Sequence, residues 1–172
     1  MTDPAATPRE HKAQAPRSVG CWVLTVSDTK TPETDTSGAL IRELLNAAGH
    51  RVVGFTIVRD EPADVQRVVR EACGDDRVQA VIVTGGTGIT SRDATFEAIE
   101  ALLDKRLPGF GELFRMLSWE QVGSPAILSR ATAGVARGKI LVSVPGARAA
   151  VELAMQKLLL PELAHMVDLV RG

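Results

Sequence analysis

Four short runs rich in β-branched residues punctuate the chain, and the stretches between them carry apolar residues every three or four positions. Cys21–Ser27, Arg51–Arg59, Val78–Thr84 and Lys139–Val144 each have the length and composition of a buried strand. A helix is predicted after the first: Asp35–Thr36 can cap it, Leu40, Ile41, Leu44, Leu45 and Ala48 share one face, and Gly49 stops it. Pro62 opens a second helix, with Val65, Val68, Val69 and Ala72 on its apolar face and Gly74 at its end. Phe96, Ile99 and Leu103 predict a third, and Phe110, Leu113, Phe114 and Leu117 a fourth. The stretch after Pro125 has no clean period and reads as a short hairpin-like excursion leading into the last strand. Beyond Pro145–Gly146, the residues Val151, Ala154, Leu158 and Leu159 mark a fifth helix, and Pro161 is expected to start a sixth.

Strands alternating with helical stretches are βαβ units, and right-handed crossovers then set most of the topology. The predicted fold class is α/β: one three-layer α/β/α domain with a mostly parallel sheet. Residues 1–18 hold three of the nine prolines and almost no bulky apolar side chain, so a flexible tail is expected there. The domain is expected to span residues 19–172.

Composition narrows the function. With 20 basic and 21 acidic residues the net charge is −1, so no global field recruits nucleic acid or an anionic membrane. Two Trp, four Phe and no Tyr make a base-stacking surface improbable. Cys21 and Cys73 have no CxxC or His partner at ligand spacing, which argues against zinc and a disulfide scaffold. No apolar run resembles a secretory signal or a membrane span, so a reducing cytoplasm is the expected location.

In open α/β sheets ligands bind at the carboxyl ends of the strands. Ser27 and Asp28 follow the first predicted strand, Asp60 and Glu61 the second, Gly85–Gly88 and Asp93 the third, and Pro145–Gly146 the last. Three glycines in four residues suit close approach of backbone amides to an anion, although a tight strand-to-helix turn needs the same residues. The loop is neither a Walker loop nor a full dinucleotide fingerprint. Asp60 and Asp93 each precede a helix start, so each can cap one; facing a phosphate loop together, they also suit Mg²⁺, which takes one or two carboxylates plus water and phosphate. Between Glu120 and Glu152 there is no acid but there are Arg130, Arg137, Lys139 and Arg148: a solvated basic face or an anion site. No histidine has a nucleophile beside it, which disfavours covalent acyl transfer.

Several segments together resemble the MoaB/MogA family of molybdenum cofactor biosynthesis. They include Thr25-Val-Ser-Asp28, Asp35-Thr-Ser-Gly38, Ala48-Gly-His50, Ile57-Val-Arg-Asp-Glu61 and Thr84-Gly-Gly-Thr-Gly88. Arg92-Asp93, Pro108-Gly-Phe-Gly-Glu112, Phe114-Arg-Met-Leu-Ser118, Ala126-Ile-Leu-Ser-Arg130, Ala133-Gly134 and Val144-Pro-Gly146 continue the series in order, closer to the MoaB branch. The resemblance implies Mg²⁺-dependent adenylylation of molybdopterin by ATP, releasing pyrophosphate. It implies catalytic, magnesium-holding roles for Asp60 and Asp93. It also implies substrate- or nucleotide-binding roles for Thr84, Gly85, Gly86, Thr87, Gly88, Ser27, Asp28, Ser118, Ser129, Arg130, Pro145 and Gly146. Family members are trimers, or hexamers in the MoaB branch, so a homo-oligomer is expected. One departure is Ser91-Arg-Asp93, where many members have Pro-Arg-Asp; the aspartate keeps its spacing to the loop. Two rivals are a competence-damage-type nucleotide pyrophosphatase, disfavoured by Gly85-Gly-Thr-Gly-Ile-Thr90, and a binding module without catalysis. The missing histidine fits the expected chemistry, because a terminal phosphate with a second pKa near about 6 needs no strong base.

Overall fold

The computed structural model describes residues 15–171. Of the predicted tail, residues 1–14 lie outside the described residues. The strands are β1 (Gly20–Val26), β2 (Arg51–Val58), β3 (Ala80–Thr84), β4 (Lys105–Arg106), β5 (Thr132–Ala136) and β6 (Lys139–Val144). They form one sheet in the order β2-β1-β3-β6-β5-β4. The four strands β2, β1, β3 and β6 run parallel, while β5 pairs antiparallel to β6 and β4 antiparallel to β5. The helices are α1 (Thr36–Ala47), α2 (Pro62–Gly74), α3 (Thr95–Glu100), α4 (Pro108–Val122), α5 (Arg148–Leu153) and α6 (Leu160–Arg171).

Alternation along the central strands builds a core on each sheet face. Val23, Ile82 and Val142 join Ile41, Phe114, Met155 and Leu163 on one side. Leu24, Val83 and Leu141 join Val65, Val69 and Ile99 on the other. The α/β class, the mostly parallel sheet and the four predicted strands are all present.

Some elements differ from their predicted form. The third helix ends at Glu100, so Leu103 lies beyond it, and the chain then adds the two-residue strand β4. The excursion after Pro125 is a 3₁₀ turn (Ser124–Leu128) followed by β5, which makes a real hairpin with β6 through Arg137 and Gly138. Both turn residues have positive φ, 50° and 74°, the geometry of a two-residue turn that matches strand twist. Pro161 sits at the second position of α6, but the helix does not begin afresh. A wide π turn (Ala154–Leu159) carries the chain on from α5 and absorbs the missing proline N–H and the bulk of its ring.

Candidate active site

Because β1, β2, β3 and β6 are parallel, their carboxyl ends open on one edge, as the strand-end argument requires. Val26, Val58, Thr84 and Val144 are the last residues of these strands. Past Thr84 the chain turns sharply at Gly85 and Gly86, with φ of +99° and +65°. There is no room for side chains here. A Cβ on Gly86 would lie 2.0 Å from Thr95 Oγ1 and 2.6 Å from Asp60 Oδ2, and one on Gly88 would lie 2.6 Å from Asp93 Oδ2. The glycines are thus the points where the two predicted carboxylates press on the loop.

The loop forms the polar end of a cleft of about 470 Å³. Gly85, Gly86, Thr87, Gly88, Asp93, Ser118, Ser129, Pro145 and Gly146 line it, so nine of the predicted site residues share one space. The facing wall is apolar and was not foreseen: Phe114 and Val122 of α4, Ala126 and Leu128 of the 3₁₀ turn, and Leu153 of α5. Thr87 and Ser118 are buried against the cleft, and their hydroxyls make no hydrogen bond to any described residue. Neither hydroxyl is shut away from solvent, so both are free to bond a group that enters the cleft. A flat, largely apolar body with an anionic end matches these walls.

Asp60 and Asp93 occupy different environments. Asp60 does not cap its own helix; Glu61 precedes α2 and makes no side-chain cap bond. Its Oδ1 instead accepts from Ala94 N at 3.2 Å and Thr95 Oγ1 at 3.0 Å, at the start of α3. Its Oδ2 accepts nothing from the described residues and faces Gly86. Burial pushes its pKa up, and the negative charges of Asp93 and Asp28 push the same way, against the Thr95 and Ala94 bonds. Asp93 does not cap α3 either. Its Oδ2 turns back to accept from the Thr90 hydroxyl and from Thr90 N, the latter at 2.9 Å. The Thr90 hydroxyl is the main reason its pKa lies below the usual carboxylate range, with the Thr90 and Gly88 amides and Arg130 assisting.

On acidification of the metal-free protein, Asp60 is therefore expected to take up its proton at a higher pH than Asp93. The stability Asp60 contributes through its neutral form is lost as pH rises through its raised pKa. That of Asp93 is lost as pH falls through its depressed one. Carboxyl ¹³C shifts followed through the titration check this, and the reverse order would contradict it.

The remaining predicted residues mostly brace the site. Thr84 is buried, and its hydroxyl donates to Pro145 O at 3.1 Å. Ser37 Oγ donates to Gly146 O at 2.8 Å, a contact with no local sequence signal. The Asp35–Gly38 segment is a capping turn: Asp35 Oδ1 accepts from Gly38 N at 2.9 Å, and its Oδ2 accepts from Thr25 Oγ1 at 2.7 Å. Ser27 and Asp28 lie outside the main cleft, in a neighbouring groove with Lys30 and Arg59. Ser27 Oγ accepts from Thr29 N and Lys30 N and so shapes its own turn. Asp28 Oδ1 accepts from Asp60 N at 3.2 Å. Its Oδ2 pairs at 2.7 Å with Arg92, chiefly the reason its pKa is lowered. Arg92 also reaches Glu61 at 3.3 Å and so ties three loops together, a role that its place in the Arg92-Asp93 motif does not signal.

The four basic residues of the acid-free segment do not form one face. Arg137 sits at the hairpin turn, its N–H bonded to Asp104, and Lys139 starts β6 beside it. Arg148 reaches Thr36 O. Only Arg130 is at the loop. Among the described residues no three His, Cys, Asp or Glu side chains are grouped to hold a metal. Asp60 and Asp93 form a pair, suited only to an ion that completes its shell with water and phosphate.

Residues 22–165 match the family described as a probable molybdopterin binding domain. The chain is 54% identical over 164 residues to molybdenum cofactor biosynthesis protein B of Bacillus subtilis, covering 95% of this chain and 96% of that one. A crystal structure of a molybdenum cofactor biosynthesis protein B superposes with a TM-score of 0.89 at 50% identity, covering 92% of this chain and 99% of that chain. The tungsten cofactor synthesizing protein MoaB of Pyrococcus furiosus superposes at 0.82 with 38% identity, covering 92% and 100%.

Proposed function

Since this chain belongs to the molybdopterin-binding family of molybdenum cofactor biosynthesis proteins, we propose that it transfers AMP from Mg²⁺-ATP to molybdopterin. The observation that carries this reading is the placement of Asp60 and Asp93 against Gly86 and Gly88, with Asp93 and both glycines lining the polar end of an apolar cleft and Asp60 set against Gly86 outside that lining.

A carboxylate beside phosphates repels them unless a cation lies between, so two of them against an amide-lined loop fit a magnesium–phosphate site. Asp60, through the oxygen no protein donor uses, and Asp93 would hold that ion. Bound there, it would neutralise charge at the reacting phosphates. The chain's own groups do the rest. The apolar wall of Phe114, Val122 and Leu128 takes the pterin body and excludes water, while the Thr87 and Ser118 hydroxyls and the loop amides orient phosphate oxygens. An oxygen of molybdopterin's terminal phosphate forms a bond to the α-phosphorus of ATP, the bond from that phosphorus to the β-phosphate oxygen breaks, and pyrophosphate leaves. No side chain has to remove a proton, because the attacking phosphate is already largely ionised.

Purified protein with molybdopterin, ATP and Mg²⁺ is expected to form adenylyl-molybdopterin and pyrophosphate in equal amounts. Molybdopterin binding without AMP transfer would identify a binding module. Cleavage of a nucleotide pyrophosphate without the pterin would identify a pyrophosphatase.

We also propose that the chain works as a trimer or a dimer of trimers. Leu113, Met116 and Trp119 of α4, with Ile127, are all exposed outside the cleft, and Trp119 is 61% exposed. A patch of this kind is costly in water and marks an interface. Sedimentation at micromolar concentration is expected to give three or six chain masses. A mass of 18.3 kDa, one chain, would overturn this.

A further inference from the structure

Arg130 was expected to bind an anion, but its guanidinium has little capacity left for one. Its Nε donates to Thr87 O at 3.0 Å, and its Nη2 donates to Gly88 O and, at 3.3 Å, to Asp93 O. Its Nη1 donates to the carboxylate of Glu97. Four of the five N–H groups of the side chain are thus engaged within the protein. The guanidinium plane also lies over the Phe96 ring, 4.8 Å from its centroid. With a side chain only 23% exposed, Arg130 is clamped between an aromatic face and the outer side of the glycine loop.

The consequence follows from peptide geometry. In a trans peptide the C=O and the next N–H point in opposite directions, and every peptide bond described here is trans. Holding Thr87 O and Gly88 O toward Arg130 therefore turns the amides of Gly88 and Ile89 away from it. The Asp93 carboxylate lies close against Gly88, where an added Cβ would meet its Oδ2 at 2.6 Å. The bond to Asp93 O holds the backbone of that residue as well.

We infer that Arg130 is a positioning residue, whose guanidinium holds the carbonyls of Thr87, Gly88 and Asp93 so that the glycine loop and the Asp93 carboxylate keep their places at the cleft before any ligand arrives. The planar fork is what does this. A lysine carries the same charge but cannot reach three carbonyls in a fixed arrangement. Preset donors lose less freedom on binding than a loop that must order around its ligand.

The test uses the full-length protein with Arg130→Lys and Arg130→Gln, with amide hydrogen exchange as the first readout, in the absence of substrates. In both variants the amides of residues 87–93 are expected to exchange faster by about tenfold or more, while those of β3 and α1 keep their wild-type rates. Unchanged loop exchange overturns the inference, and so does an equal rise throughout the sheet, which would reflect general stability. The second readout is AMP transfer and is the only part that rests on the adenylyl-transfer reading. Both variants are expected to lose kcat to a similar extent, with Lys no better than Gln. Recovery of wild-type transfer by Arg130→Lys would mean that charge alone suffices and that Arg130 contacts the anion, overturning the positioning role. If wild-type protein transfers no AMP, that reading fails while the exchange result still decides the role of Arg130.

Discussion

Asp93→Asn is expected to leave a folded protein that binds molybdopterin and transfers AMP about 10²- to 10³-fold more slowly, the range for removing one group aimed at transition-state charge. Asparagine keeps the shape and one acceptor oxygen, so it can still receive the Thr90 N–H that Asp93 Oδ2 accepts at 2.9 Å. Asp93 does not cap α3, and the amide of Ala94 just before that helix is taken by Asp60, so helix stability has little to lose. What disappears is the negative charge, which the Thr90 hydroxyl favours by lowering the carboxyl's pKa. If that charge holds a cation against the reacting phosphates, the defect appears in chemistry and not in folding or pterin affinity. The deciding measurement is the single-turnover rate at saturating Mg²⁺-ATP, with the thermal midpoint and the molybdopterin affinity beside it. A wild-type rate would remove Asp93 from the reaction.

Gly86→Ala is expected to destabilise the protein by about 2–4 kcal/mol and to abolish transfer, combining left-handed backbone strain with overpacking. The φ of +65° disfavours any Cβ, and the one added would meet Thr95 Oγ1 at 2.0 Å, Thr95 Cβ at 2.7 Å and Asp60 Oδ2 at 2.6 Å. Relief requires moving Thr95, which anchors α3, or Asp60, which holds Thr95. Either movement displaces a site carboxylate or the helix behind the loop. Gly74→Ala is the matching control. It lies at the end of α2 with nothing within 4 Å of the added Cβ, so it is expected to be neutral or to stabilise by up to about 1 kcal/mol. Denaturant midpoints measure both. Equal midpoints for the two variants would show that the loop tolerates a side chain.

The residue pattern by itself determined the class, the four central strands and the edge of the sheet where the small and acidic residues collect. Burial is written locally: Val23, Ile82 and Val142 alternate with apolar neighbours that face the other core, such as Leu24, Val83 and Leu141, and Ile41 and Leu45 recur at helical spacing, whatever the rest of the chain does. The sequence also placed small and acidic residues after each parallel strand, which was enough to group Asp60, Asp93 and the glycine loop as a candidate site, and these residues do meet at Gly86 and Gly88. It showed β5 only as part of a hairpin-like excursion, because Thr132–Ala136 has little strand pattern of its own and is a strand because β6 pairs with it. Nor could it see that Asp60 serves the start of α3, that Ser37 holds Gly146, or that Arg130 grips the outer side of the loop. Those partners are 34, 109 and 43 residues apart in the chain, respectively. They meet because the sheet order β2-β1-β3-β6 sets the second and third strand ends on either side of the first and lays the last beside the third. Periodicity records which side of an element is buried. Only the packing of elements decides which polar atom lies within hydrogen-bond reach of another, and there the charge of a residue such as Arg130 becomes either a ligand contact or an internal brace.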